Sequence, residues 1–159
     1  MTKLDDACDA AIQLGLPIAL DSSALIAFLT DEQPVGPLVA RLTSSQVKLV
    51  LSAIVFSESL VRTARFVERS FLDTVVLSLH TDPIFQVVPF GTEQIVETAL
   101  VRVETRLKFP DAAIVATARV AGAIALVGND RAWQNKSLGI QYIHLDDVVR
   151  EAQMEEEPR

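Results

Sequence analysis

Four short apolar runs recur along the chain: LPIAL (16–20), VKLVL (47–51), IFQVVPF (84–90) and AIALVG (123–128). Most are apolar at successive positions, so both faces of a strand would need cover, as in a parallel sheet between helices. A weaker run, IQYIHL (140–145), reads as a fifth strand before a short helix. The segments between have helical spacing and the length for crossovers, some holding two helices. The longest is SAIVFSESLVRTARFVERSFLDTVVLSLH, and GTEQIVETALVRVETRLK followed by PDAAIVATARVAG makes another pair. The pattern predicts a three-layer α/β fold with a central, mainly parallel sheet of four to five strands flanked by helices. Residues 3–14 suit a short amphipathic helix, with Thr2 as N-cap, Leu4, Cys8 and Ala11 on one face, and Gly15 as its stop. The expected division is a helical extension over 1–16, one α/β domain over 17–150 and an acidic tail over 151–159.

Composition narrows the function classes. Half of the 159 residues are hydrophobic, enough for a substantial single core. The formal charge is −7, with four acids in the closing EAQMEEEPR. That excess argues against coating duplex nucleic acid through a general basic surface, though not against a local basic groove. Cys8 is the single cysteine, so neither an intrachain disulfide nor a Cys/His zinc cluster is expected, and a reducing cytosol is the simplest setting. MTKLDDACDAAIQLG lacks the form of an export signal, and no run of about 18 apolar residues occurs. The expectation is a cytoplasmic protein with no membrane partner.

The first apolar run ends on a carboxylate in IALDSSALIAFL. In an open parallel sheet, ligands bind in the crevice beyond the carboxyl ends of the strands. Asp21 stands at such an end, and Asp130 follows AIALVG by two residues. Glu58 lies on the helix fed by VKLVL, and Asp111 opens a helix after Pro110. If the first and fourth strands are neighbours, all four acids share one edge. Each also has a structural role open to it: Asp21 and Asp111 as N-caps, Asp130 as a turn residue, Glu58 as the partner of Arg62 four residues on. Those roles do not explain the joint placement. Two carboxylates about 4 Å apart repel by roughly 4 kcal/mol at an effective dielectric of 20. A cluster of this kind needs a cation, and an all-oxygen set suits Mg²⁺ or Mn²⁺.

IALDSSALIAFL, LSAIVFSESL and FPDAAIVATARVAGAIALVGNDRAW together resemble the PIN-domain nucleases, especially VapC-type toxins of bacterial toxin–antitoxin pairs, over about residues 17–147. The resemblance implies a PIN-like fold and divalent-metal-dependent hydrolysis of single-stranded RNA. Carried over position by position, the acids are Asp21, Glu58, Asp111 and Asp130. Asp21 and Asp111 would be the principal ligands, Asp130 would hold a second ion or its water, and Glu58 would complete the shell or orient the attacking water. Ser22, Ser23 and Ser52 match the hydroxyl positions of the family, whereas Gly128 stands where Thr or Ser is common, leaving Asn129 as a substitute. The implied partners are a single-stranded RNA substrate, a small antitoxin protein and a second copy in a homodimer.

A polyanion needs cations near the acids. At about 100° per residue, Arg62, Arg65 and Arg69 would fall within roughly 40° of Glu58 on one continuous helix. Arg106, Lys108 and Arg131 flank Asp111 and Asp130 as further phosphate contacts. Phe56, Phe66 and Trp133 are expected in the core, and His80 and His144 as structural or surface residues. Scattered glycines exclude a G-x-G-x-x-G dinucleotide turn. Ser23 excludes the Asp-x-Asp of haloacid dehalogenase phosphotransferases. The alternative retained is a non-catalytic PIN-like module that binds RNA or protein.

Overall fold

A helix leads into the sheet: α1 (Lys3–Leu14) precedes β1 (Ile18–Leu20). The order continues α2 (Ser22–Leu29), α3 (Val35–Ser44), β2 (Leu49–Ser52), α4 (Ala53–Ala64), α5 (Arg69–Thr81), β3 (Phe85–Val88), α6 (Thr92–Thr105) and α7 (Phe109–Val120). It closes with β4 (Ala125–Gly128), α8 (Arg131–Gln134), β5 (Gln141–His144) and α9 (Leu145–Glu156). The structure, a computed structural model, describes residues 1–156, without the side chains of Arg62, Glu155 and Glu156. Among the described residues no helix is long and apolar enough to cross a membrane.

The five strands form one sheet in the order β3-β2-β1-β4-β5, and every pairing is parallel. Burial explains the sequence pattern. β1, β2 and β4 are buried at every position, as central strands covered on both faces must be, whereas edge strands β3 and β5 each expose a glutamine. Fully burying Leu20, Leu49 or Leu126 contributes about 1.5–3 kcal/mol each, and Leu126→Ala would cost about 2–5 kcal/mol through the cavity it leaves.

The chain winds outward from β1 through β2 to β3, then returns through α6 and α7 to β4 on the other side of β1. Right-handed crossovers send the helices after β1 and those returning to β4 to opposite faces. The strand order therefore reverses between β1 and β4, which opens a crevice beyond their carboxyl ends. Register fixes its floor: Leu20 pairs with Val127, and the Asp21 N–H donates to the Val127 carbonyl at 2.9 Å.

At the termini the elements run as the pattern predicts, except that the last helix extends into the expected tail. Thr2 caps α1 in a reciprocal box with Asp5, and Gly15 ends it in the left-handed conformation at φ 65°. The buried face of α1 carries Leu4, Ala7 and Ala11, with Cys8 half-buried beside them. α1 is also tied down at its polar rim, Lys3 to Glu151 (3.5 Å) and Asp5 to Arg41 (2.9 Å). At the other end, α9 runs on to Glu156, so the first six residues of the expected tail are helical, and 157–159 lie outside the described residues.

Candidate active site

The four acids come from four elements and line one cavity of about 350 Å³ beyond the carboxyl ends of β1 and β4. Ser22, Ser23, Asn129 and Arg131 share its wall with Ile114 and Trp133.

Asp21 ends β1 and does what its sequence position suggests: it is the N-cap of α2. Its Oδ1 accepts from the Ala24 N–H (2.8 Å) and from Ser23 Oγ (2.7 Å). The cap occupies one carboxylate oxygen and leaves Oδ2 over β4, directly above Gly128. A Cβ at residue 128 would stand 2.8 Å from Oδ1 and closer still to Oδ2 and Cγ. Glycine there is the room that the Asp21 carboxylate occupies. Asn129 beside it also lines the cavity; its N–H donates to Ser23 Oγ (2.9 Å) and its Oδ1 accepts from the Asp146 N–H (3.3 Å).

Asp111 corrects the capping expectation. α7 starts at Phe109 with Pro110 in its first turn, where the missing N–H costs nothing, and Lys108 is the N-cap position without a side-chain bond. Asp111 is the third helical residue, and its carboxylate is not spent on capping. Asp130 caps the short α8, accepting from the Ala132 N–H at 2.8 Å, while its own N–H donates to Tyr142 Oη at 2.9 Å. Glu58 projects from the second turn of α4, and the Ser22 hydroxyl donates to its Oε2.

The electrostatics match the crowding. Burial pushes Asp21 up to about 6, against the hydrogen bonds from Ser23, Ala24 and Asn129, and Asp130 adds to the rise. Asp111 is raised by burial first, then by Asp130 and Glu58; Lys108 and the indole of Trp133 pull the other way. The Trp133 Nε1 is buried without a partner at hydrogen-bonding geometry, so its effect on Asp111 is that of a nearby dipole. Among the described residues none of the four acids has a cation within ion-pair distance. The donor set is all oxygen, as hard divalent ions require. The side chains stand apart all the same: among the described residues no three acidic, histidine or cysteine groups are gathered tightly enough to hold an ion. Chemically the residues fit Mg²⁺ or Mn²⁺, and the repulsion between them is what such an ion would relieve.

The remaining expected residues divide. Ser52 is buried and caps α4 through the Val55 N–H (3.0 Å), away from the cavity lining. The basic track is not one helix face: α4 ends at Ala64, Arg65 is its C-cap, and Arg69 opens α5 paired with Asp73 at 3.6 Å. The turn over 65–68 also exposes Phe66 to 87%, so Phe66 is not a core residue. Arg62 keeps its place on α4, but its side chain lies outside the described residues. Arg106 is exposed at the left-handed end of α6 (φ 59°) and Lys108 is exposed beside Asp111. Arg131 lines the cavity but is held by Asp146 (3.6 Å) and Asp147 (3.4 Å).

Tyr142 is the site residue that sequence reasoning missed. It stacks beside Trp133 (centroids 5.6 Å apart) and positions the Asp130 backbone, and burial together with the Asp21 charge holds its phenol well above the usual range. Its neighbour His144 is 3% exposed, and neither ring nitrogen has a partner among the described residues. The only signal for either was strand parity in a weak run.

Comparison with known proteins agrees with this architecture. The PIN domain family pattern matches residues 18–137. Among solved structures, VapBC2 from Rickettsia felis bound to a promoter DNA fragment superposes with a TM-score of 0.63 at 12% identity, over 81% of this chain and 98% of that one. A toxin–antitoxin complex from Klebsiella pneumoniae gives 0.59 at 17% identity, over 79% and 95%. The sarcin–ricin loop cleaving toxin VapC20 of Mycobacterium tuberculosis gives 0.58 at 18%, over 74% and 92%. By sequence, no curated protein matches the chain.

Proposed function

The chain belongs to the PIN domain family, and we propose that it is a divalent-metal-dependent endoribonuclease that hydrolyses phosphodiester bonds in single-stranded RNA, acting as the toxin of a toxin–antitoxin pair. The observation that carries this reading is the meeting of four carboxylates from four elements in one open cavity, none of them within ion-pair distance of a cation among the described residues. The toxin part draws on likeness to proteins whose structures are those of a toxin–antitoxin complex and an RNA-cleaving toxin.

In this reading Asp21 and Asp111 would hold the ion, Asp130 would hold a second ion or its water, and Glu58 would complete the shell or orient the attacking water. Bound there, Mg²⁺ or Mn²⁺ supplies charge stabilisation at the phosphoryl group and makes water a better nucleophile. The chain's own contribution is preorganisation. Ser23 and the α2 backbone fix one oxygen of Asp21, Ser22 aims Glu58, and Tyr142 fixes the loop that carries Asp130. Asp130 is exposed and Asp21 buried, so the cavity is graded from a wet mouth to a dry floor.

The test is cleavage of a diverse single-stranded RNA pool in Mg²⁺ or Mn²⁺, with EDTA and Asp21→Asn as controls. Divalent-dependent cleavage that Asp21→Asn removes supports the enzyme. A folded protein that binds the ion and cleaves nothing would make it a non-catalytic binding module instead.

A further inference from the structure

Beside the acidic cavity lies a second, smaller one of about 150 Å³, separated from it by Ser23 and Asn129, which line both. Its walls are apolar, from Ile26, Ala27 and Val35, and Glu32 stands at its rim. A cavity of about 150 Å³ with apolar walls takes a six-membered ring, so a purine would seat its pyrimidine ring there and leave its imidazole ring at the mouth. This one opens beside the place where a scissile phosphate would sit, so the group next to it on a strand is a base.

The polar atoms at the rim are few, and most are already used. Ser23 donates to Asp21 and accepts from the Asn129 N–H; Asn129 Oδ1 accepts from Asp146. Two groups remain with no partner among the described residues: the Glu32 carboxylate, with its acceptor oxygens, and the Asn129 amide NH₂, a donor. Neighbouring Asp31 differs, since its carboxylate accepts from Gln33 Nε2 at 3.2 Å. Glu32 is held in place by its backbone. Its N–H donates to the Ala27 carbonyl (2.9 Å) and its carbonyl accepts from the Gly36 N–H (2.5 Å). That close approach leaves no room for a Cβ at Gly36, which would meet Ala27 O at 2.7 Å.

We infer that this cavity is a base subsite selective for guanine, resting on the reading of the chain as an RNA-cleaving enzyme. Guanine alone among the four bases presents two adjacent donors, N1–H and the N2 amine, to a carboxylate, and its O6 can accept from an amide NH₂. Adenine turns the N1 lone pair toward the carboxylate, cytosine turns N3, and uracil offers one donor between two carbonyls. Single-stranded RNA is read in this way, through splayed-out bases hydrogen-bonded on their Watson–Crick edges. An unpaired carboxylate beside a polyanion otherwise only weakens binding, because it repels every phosphate that approaches.

That opposition gives a test with two signs. Short uridine strands carrying one guanosine, inosine or adenosine are titrated against Asp111→Asn protein in EDTA, where nothing is cleaved and the strand is free to shift register. The guanosine strand should bind on the order of tenfold tighter than the adenosine strand, with inosine, which lacks the N2 amine, between them. Adding Glu32→Gln should weaken the guanosine strand and tighten the adenosine strand. Glu32 is exposed, so the fold survives the change. Equal affinities for the three strands, a Glu32→Gln change that shifts all strands in one direction, or no binding of any strand would each overturn the subsite. Base-blind binding by a wild-type protein that cleaves RNA sinks the subsite alone, whereas guanine preference in a protein that never cleaves sinks the nuclease reading alone.

Discussion

The two ends of the sheet treat acidic residues in opposite ways. At the amino end of β4 and β5, Arg119 is 16% exposed in its side chain and makes three bonds: to Glu97 (2.8 Å), to Glu104 (2.9 Å) and to the Leu138 carbonyl (2.7 Å). Both carboxylates are matched by one fork of donors. At the carboxyl end of the same strands four carboxylates line one cavity, and the arginine that lines it with them, Arg131, is turned to Asp146 and Asp147. The same fold that neutralises acids with care at one end leaves them in excess at the other. Charge at the paired end serves the fold, whereas the four acids at the other end have no ion pair among the described residues.

That contrast breaks most readily at the unpaired end. Asp111→Asn should lower RNA cleavage on the order of a hundredfold or more while the melting temperature holds or rises, because the change removes a repelled charge and keeps the shape. Wild-type cleavage by this variant would separate the carboxylate from the chemistry.

The second effect is on pH. Asp21 has its folded-state value raised to about 6, so between there and its ordinary value near 4 the folded chain holds a proton that the unfolded chain has lost. In EDTA, stability should therefore rise as pH falls through that window, by no more than about 3 kcal/mol. Asp21→Asn should remove most of the rise, and Asp111, raised in the same direction, accounts for what is left. Asp5 and Asp147 have lowered values, and their stabilisation is lost only as pH falls below about 4. Urea titrations at pH 7 and pH 5 decide it: equal midpoints in wild type would show that the buried carboxylate carries no penalty.

At the paired end the sign reverses. Arg119→Ala should destabilise the fold by about 2 kcal/mol, less than a fully buried pair because Glu104 is half exposed. Divalent-dependent loss of stability in that variant would mean that the two ends communicate. Smaller again is the ion itself: Mg²⁺ or Mn²⁺ at ten times its Kd should stabilise wild type by about 1.4 kcal/mol. The gain should shrink in Asp21→Asn and Asp111→Asn. Identical thermal shifts in all three proteins would remove the acidic cavity as the binding site. The least effect belongs to Arg65, where alanine should cost under about 0.5 kcal/mol. If Arg65 meets a phosphate, its loss should flatten the salt slope for single-stranded RNA by about 0.7.

The sheet was legible because β1, β2 and β4 are buried on both faces, which forces continuous apolar runs into the sequence. The four acids were legible because strand ends and helix starts have local signatures, and parallel order between β1 and β4 does the rest. Asp111 was misplaced by one feature, since Pro110 was taken to precede the helix and in fact lies inside its first turn. The single helix face for Arg62, Arg65 and Arg69 broke for want of a visible breaker: the chain from Arg65 to Glu68 turns without glycine or proline, so helical periodicity ran on to Arg69. Tyr142 and Glu32 lay beyond sequence reasoning. One belongs to a weak edge strand, and the other becomes interesting only where the turn before α3 folds back on Ala27.

Gly128 has a consequence at the level of genetics. A glycine codon becomes an alanine codon by one base change, and at this position the added methyl group claims the space of the Asp21 carboxylate. Alanine is at home in a buried strand, so the protein would still fold, be made in full and present its outer surface unaltered to whatever binds it. On the proposed toxin reading, cells selected to survive overproduction of the chain would then have a route to escape besides losing an acid, and sequencing of survivors should recover residue 128 alongside 21, 58, 111 and 130. A survivor collection that spares 128 would show that the carboxylate can yield its place and keep its function.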